Sequence, residues 1–154
     1  MTQSNNGSDP AAVQLDALRV ALELEIPSDV RYIERVVDLV RRQCAELSYA
    51  PRHCALNVPV ALAEALSNAI LYGNGEHSSK QVYVRARVDR VELVVEIADE
   101  GAGFDLDACT SDPTAPENLE SEGGRGLFLM QRLMDRVERF GERGNVVRLT
   151  LRRA

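Results

Sequence analysis

Between Gln81 and Ala98, apolar residues fall on every second position in two successive runs. In "QVYVRARV", Val82, Val84, Ala86 and Val88 alternate with Tyr83, Arg85 and Arg87. In "VELVVEIA", Val91, Leu93, Val95 and Ile97 alternate with Glu92, Val94 and Glu96. A period of two marks strands with one buried face. The Asp89-Arg90 link between them is short enough only for a hairpin, although it lacks the glycine that such turns prefer. A sheet that is apolar on one side and charged on the other needs cover on one side only. This restricts the chain to a two-layer α+β sandwich, a mixed, mostly antiparallel sheet with helices on one face.

The flanking segments fit that frame. "LRVALELEI" sets Leu18, Val20, Leu22, Leu24 and Ile26 at period two, another strand, which Pro27-Ser28 breaks with Ser28 available as a helix cap. "VRYIERVVDLVRRQCAEL" carries Val30, Ile33, Val37, Val40, Cys44 and Leu47 on one stripe of an amphipathic helix. A Pro-containing link follows. A second helix is expected from near Asn57, with Pro59 in its first turn, to about Tyr72, ended by Gly73 and Gly75. From Asp99 to Gly124 periodicity is lost, and a loop of that length in a small domain is more often functional than idle. "GLFLMQRLMDRV" predicts a third helix, with Met130 and Met134 in the core. "VERF" and "NVVRLTLR", joined through "GERG", predict a closing hairpin. The polar residues 1–14 are expected to form a disordered arm, and 15–154 a single domain without repeats.

Composition removes several function classes. The net charge is −6 with few aromatics, a poor match to nucleic-acid binding. The only lysine, Lys80, lies in "SSKQ". There is neither a P-loop nor the "VAIK", "HRD" and "DFG" set of a conventional protein kinase. No apolar run is long enough to span a bilayer, and the first residues lack a signal-peptide pattern, so a cytoplasmic protein is expected. Cys44, Cys54 and Cys109 match no zinc or disulfide pattern and are expected as free thiols. His53 and His77 are expected in loops, without metal-ligand spacing.

Four features bracket one candidate site. Glu64 and Asn68 lie four residues apart on one face of an otherwise apolar helix, where an unpartnered carboxylate is costly to bury. "DEGAGF", Asp99 to Phe104, carries a strand directly into Asp-x-Gly-x-Gly. The irregular segment 105–122 follows, and "EGGRGLFLM" then sets a glycine-rich turn at the start of a helix. Taken singly, the first reads as an exposed polar pair, the second as a turn and the last as a loose connection. Together and in this order they point to one nucleotide pocket.

The combination resembles the GHKL (Bergerat-fold) ATPases, and within them the stand-alone RsbW/SpoIIAB-type anti-sigma-factor serine kinases. "EALSNAI" resembles the N box of that family, "DEGAGF" its first glycine box and "EGGRGLFLMQRLMD" its second; the likeness runs from about residue 18 to 152. The resemblance implies a role for each residue. Asp99 accepts the exocyclic amine of adenine, while Gly101 and Gly103 give base and sugar access to the backbone. Gly123, Gly124, Arg125 and Gly126 offer backbone N–H groups to the phosphates, with Arg125 as a candidate charge. Asn68 supplies a neutral oxygen to Mg²⁺. Glu64 is the general base that receives the proton of an incoming serine hydroxyl.

The implied activity is that of an ATP-dependent serine/threonine kinase in a partner-switching system. Its substrate is a STAS-domain antagonist, its client a sigma factor or another regulator, and its assembly a homodimer. No nucleic acid or membrane is involved. The alternative is an adaptor that binds ATP and sequesters its client without phosphoryl transfer. The same resemblance assigns subunit and sigma contacts to the outer side of the first helix, around Tyr32, Arg35 and Asp38. Two departures from the family pattern stand out. Tyr72 replaces the His often found a turn after the Asn, and Glu122 stands where some relatives carry Arg.

Overall fold

The computed structural model describes residues 17–75, 77, 79–101, 122–141 and 145–154, without the side chains of residues 122–125. Among the described residues five strands form one sheet: β1 (Val20–Pro27), β2 (Gln81–Val88), β3 (Glu92–Asp99), β4 (Arg136–Phe140) and β5 (Asn145–Arg152). Their spatial order is β1-β2-β3-β5-β4, and every pairing among them is antiparallel. Three helices pack on the sheet: α1 (Ile33–Glu46), α2 (His53–Gly73) and α3 (Glu122–Leu133). The disordered arm expected over residues 1–14, Cys109 and Gly103 lie outside the described residues.

The period-two pattern sorts the sheet as expected except at Val91, which precedes β3 in the turn and is exposed. Val82, Val84, Ala86 and Val88 of β2, Leu93, Val95 and Ile97 of β3, and Val147, Leu149 and Leu151 of β5 are buried under the helices. Val20, Leu22 and Leu24 of β1 pack partly against that core. Leu18, expected in the strand, precedes β1 and is exposed. In the β2–β3 turn, Asp89 does the work of the missing glycine. Its Oδ1 accepts from the N–H groups of Val91 at 2.7 Å and Glu92 at 2.9 Å, holding the turn by a side-chain bond.

On the opposite face, oppositely charged residues alternate across all five strands: Glu23, Arg85, Glu96, Arg148 and Glu138. Successive contacts measure 3.2, 3.7, 2.9 and 3.7 Å. Exposed pairs of this kind are worth at most about 1 kcal/mol each. The apolar inner face carries the stability, at roughly 1.5–3 kcal/mol per fully buried large side chain.

The helices depart from expectation in three places. The α1 stripe buries Val36, Val40 and Cys44, whereas Val30 lies in a preceding 3₁₀ turn and is exposed. The cap of that turn is Asp29, whose side chain accepts from Arg31 N–H. Ser28 is instead buried, with Oγ 3.5 Å from the Ile70 carbonyl oxygen. The second helix starts earlier than the sequence suggests. His53, expected in a loop, opens a wide π-helical turn ending at Asn57, and Pro59 follows inside the continuous helix. Proline has no N–H for the carbonyl four residues back, and a wide turn before it is one way a helix accommodates that loss.

Contrary to the expectation that no apolar run is long enough to span a bilayer, α2 has the length and apolarity to do so, but half of it lies inside the protein. Val58, Ala61, Leu62, Ala65, Leu66, Ala69 and Ile70 are all buried, which makes it the central core helix. Cys44 and Cys54 are buried free thiols, as expected. Burial pushes the Cys44 thiol up to about 12, out of reach of ordinary thiolate chemistry.

Candidate nucleotide site

The end of α2 is where the polar residues of the core gather. Asn68 begins a second π-helical turn, Asn68–Gly73. Such turns widen the helix and are often found at functional sites. Asn68 is buried, and Glu64 is half-buried one turn before it. Across from them, α3 presents Gly126. A Cβ built there would stand 2.8 Å from Glu64 Oε2 and 3.3 Å from Asn68 Nδ2, so the glycine leaves open the space these two side chains enclose. Glu64, Ser67, Asn68, Leu71, Tyr72, Gly126 and Leu129 line a cleft of about 310 Å³. Ser67 was not marked by the sequence reading. Tyr72, the departure from the family pattern, stands in the wall of this cleft.

The second glycine cluster differs in local form from the expected turn. α3 begins at Glu122, so Gly123, Gly124, Arg125 and Gly126 lie within its first turn or so. The first four N–H groups of a helix have no acceptor within the helix. In α3 these include Glu122, Gly123 and Gly124, whereas Gly126, expected as a phosphate donor, lies far enough in for its N–H to bond within the helix. The Arg125 side chain and most of the irregular segment 105–122 lie outside the described residues.

Past Asn68, where α2 ends at Gly73, a second polar group converges on Asp99, the last residue of β3. A Cβ on Gly73 would stand 2.2 Å from Asp99 Oδ2, and one on Gly101 would stand 1.7 Å from the Gly73 carbonyl oxygen. Only glycines allow the helix end, the carboxylate and the post-strand turn to pack this closely. Asp99 is buried, and its Oδ1 accepts from Gly101 N–H at 2.7 Å and from Asn145 Nδ2 at 3.0 Å. Burial pushes its pKa above the usual carboxylate value, against those two hydrogen bonds and the nearby Arg139 guanidinium, which pull it down. Nine residues of α2 separate Gly73 from Glu64, about 14 Å at helical rise. That is the reach of a nucleoside triphosphate.

Sequence reasoning missed three residues here. Asn74 locks the end of α2. Its N–H donates to Ala69 O, its Nδ2 to Gln81 O at 2.9 Å, and its Oδ1 accepts from Glu100 N–H at 2.7 Å. Asn145 and Arg139 were passed over as ordinary strand residues. The signal was available: the inner rows of β3, β4 and β5 are apolar until their last positions at one end, where Asp99, Arg139 and Asn145 replace aliphatic residues. His77 is exposed and His53 half-buried, and among the described residues no cluster could hold a metal by His, Cys and carboxylates alone.

Larger hollows, about 780 and 560 Å³, lie on the outer face of the sheet to either side of the charged ladder. They contain none of the predicted residues. Glu64, Asn68 and Gly126 lie instead at the smaller cleft, and Gly73, Asp99 and Gly101 at the end of α2.

The chain is similar to proteins of known family. The histidine kinase-like ATPase domain family matches residues 26–151. Serine-protein kinase RsbW of Bacillus velezensis is 31% identical over 134 residues, covering 84% of this chain and 83% of that one. RsbW of Bacillus subtilis is 30% identical with the same coverage. RsbW of Staphylococcus aureus is 27% identical over 138 residues, covering 84% of each. A crystal structure of the RsbU and RsbW domains of a Mycobacterium tuberculosis protein superposes with a TM-score of 0.62 at 18% identity, which speaks for the fold. It covers 86% of this chain, which spans about a third (32%) of that one.

Proposed function

The chain belongs to the histidine kinase-like ATPase domain family, and on that premise we propose that it is an ATP-dependent protein serine kinase and anti-sigma factor of a partner-switching system. One observation carries the reading. Glu64 and Asn68 converge on the gap left by Gly126, while Asp99 packs on Gly73 at the C-terminal end of the same helix. A base-recognition group and a phosphate-end group are thereby held on one rigid element.

Each residue then has a task. Asp99, with Oδ1 occupied by two donors, keeps Oδ2 to accept the 6-amino group of adenine. Gly73 and Gly101 let the helix end and the post-strand turn close around Asp99 instead of opening to the base, and Gly103 would give the base access to the backbone. Backbone N–H groups of Gly123 and Gly124 face the phosphates, with the dipole of α3 behind them and Arg125 as an added charge. Asn68 offers its carbonyl oxygen to Mg²⁺, and the buried, neutral amide beside a carboxylate suits a hard cation. That ion, when bound, would neutralise charge on the transferring phosphoryl group. Glu64 takes the proton of the attacking serine hydroxyl, and Gly126 leaves it room to do so.

The substrate we assign is a serine or threonine on a STAS-domain antagonist, which competes with a sigma factor or other regulator for this protein. Phosphorylation adds about two negative charges. On a chain of net charge −6 this favours release of the antagonist and recapture of the client. We further assign a homodimer, with subunit and client contacts on the outer side of α1, where Tyr32 and Arg35 are exposed. The use of ATP fits a cytoplasmic setting.

Incubation with radiolabelled ATP, Mg²⁺ and a panel of unphosphorylated STAS proteins tests the reading. Label on a serine or threonine of one panel member is expected. Nucleotide binding without transfer to any member would make the protein an adaptor instead.

A further inference from the structure

A guanidinium group has donors and no acceptor. Arg139 Nη2 donates to Asn145 Oδ1, so the carbonyl side of that carboxamide must face Arg139. Its NH₂ side must then face the other way, where Nδ2 lies 3.0 Å from Asp99 Oδ1. Asn145 is 1% exposed and Asp99 7%, so water does not compensate for a reversed amide. The backbone frames the contact. Asp99 and Asn145 are cross-strand partners, and Arg139 is paired with Val147, the next inner-face residue of β5.

A charged side chain on the inner, helix-facing row of a strand is unusual: apart from Arg139 and Asn145 that row is aliphatic in β4 and β5. A purely structural Arg at the end of β4 would be better placed on the outer face, where Arg148 and Glu138 already form ion pairs.

We propose that Arg139 is a specificity-determining positioning residue, which sets the orientation of the Asn145 carboxamide and thereby commits Asp99 Oδ1 to its donors and Oδ2 to accepting from the base. This rests on the nucleotide reading of the site and deepens it. Adenine brings a 6-amino donor to Oδ2. Hypoxanthine brings a 6-oxo acceptor, which meets a carboxylate with no proton to give. When Arg139 no longer fixes it, the carboxamide can turn its Nδ2 away from Asp99, and with that donor and the guanidinium charge gone the carboxyl holds a proton on Oδ2 more readily. A protonated Asp99 can donate to a 6-oxo group, so discrimination between the two bases falls.

The test is equilibrium titration of the full chain with Mg-ATP and Mg-ITP, for the wild type and for Arg139→Met and Arg139→Lys. The wild type should prefer ATP. Arg139→Met should lower the ATP:ITP affinity ratio on the order of tenfold, as expected for a hydrogen bond to a charged group. Arg139→Lys, which keeps a donor, should restore most of that ratio. An equal loss of both nucleotides in the Met variant marks a structural role and overturns the proposal, as does an unchanged ratio or a Lys variant indistinguishable from Met. Should Arg139→Met fail to fold, Asn145→Leu must lower the same ratio, and an unchanged ratio there overturns the proposal equally. A wild type that binds ATP but does not prefer it over ITP sinks this inference alone. A wild type that binds no adenine nucleotide sinks the nucleotide reading with it.

Discussion

Gly73 and Asp99 pack so closely that a single added methyl on the glycine would stand 2.2 Å from the carboxylate Oδ2. The oxygen it would strike is the one left free to accept from the base, because Oδ1 is held by Gly101 and Asn145. Gly73 has no positive φ, so the demand here is for space and not for an unusual backbone. Gly73→Ala should therefore displace Asp99 and lower ATP affinity by at least tenfold. The overpacking should also cost about 1–3 kcal/mol of stability. Calorimetry and thermal melts together check both effects, and full ATP affinity in this variant would remove Asp99 from the base site.

Gly126 should behave oppositely. A methyl there would stand 2.8 Å from Glu64 Oε2 and 3.3 Å from Asn68 Nδ2, both ends of side chains that can move aside. Replacing a helical glycine with alanine gains roughly 1 kcal/mol of helix propensity, which offsets the crowding. Gly126→Ala is expected to keep its melting temperature within a few degrees while phosphoryl transfer drops at least tenfold. Transfer assays beside melts give the answer. An active variant would show that the gap between α2 and α3 is not needed for the reaction.

Most of the sheet was legible because its signal is redundant: Val82 to Val88 and Leu93 to Ile97 repeat one pattern in strands that pair with each other. Glu64, Asn68 and Asp99 were legible for the opposite reason, as polar residues where burial is expected. The beginning of α2 was not, because Pro59 marks a helix start in most chains and here follows a wide turn inside one. Arg139 and Asn145 escaped because a strand end tolerates polar residues freely. Only the register that sets Asp99 opposite Asn145 gives them meaning. The packing of Gly73 on Asp99 is likewise a long-range fact, invisible in "LYGNG" read alone.

The protonation of Asp99 yields a pH prediction. Burial raises its pKa above 3.8. In the window between its unfolded and folded pKa values the folded chain binds more protons than the unfolded one. Stability of the ligand-free protein therefore falls as pH rises through that window. ATP needs the ionised form, so affinity should weaken as pH falls through the same raised value. Asp99→Asn removes the cost of burying a charge. It is expected to melt no lower than the wild type at pH 7 while losing ATP affinity by tenfold or more. Titrations across pH 4.5–7.5 and melts of both proteins decide it; pH-independent binding in the wild type would contradict a titrating Asp99.

Glu64 separates binding from chemistry. It is half-buried beside Asn68, far along α2 from Asp99, and its Oε2 borders the gap at Gly126. A group in that place has little hold on the base, but it is near the phosphate end where a hydroxyl would attack. Glu64→Gln keeps the shape and hydrogen-bonding capacity and removes only the ability to take a proton. ATP affinity should stay within about threefold of wild type, whereas transfer to the antagonist should fall by roughly 10²–10⁴, the usual contribution of a general base. Client binding, which needs no proton transfer, should survive, leaving a protein locked in its sequestering state. Parallel calorimetry, transfer assays and client pull-downs would establish the split. If Glu64→Gln loses ATP as badly as Asp99→Asn, the carboxylate is there to build the pocket and another group must accept the proton.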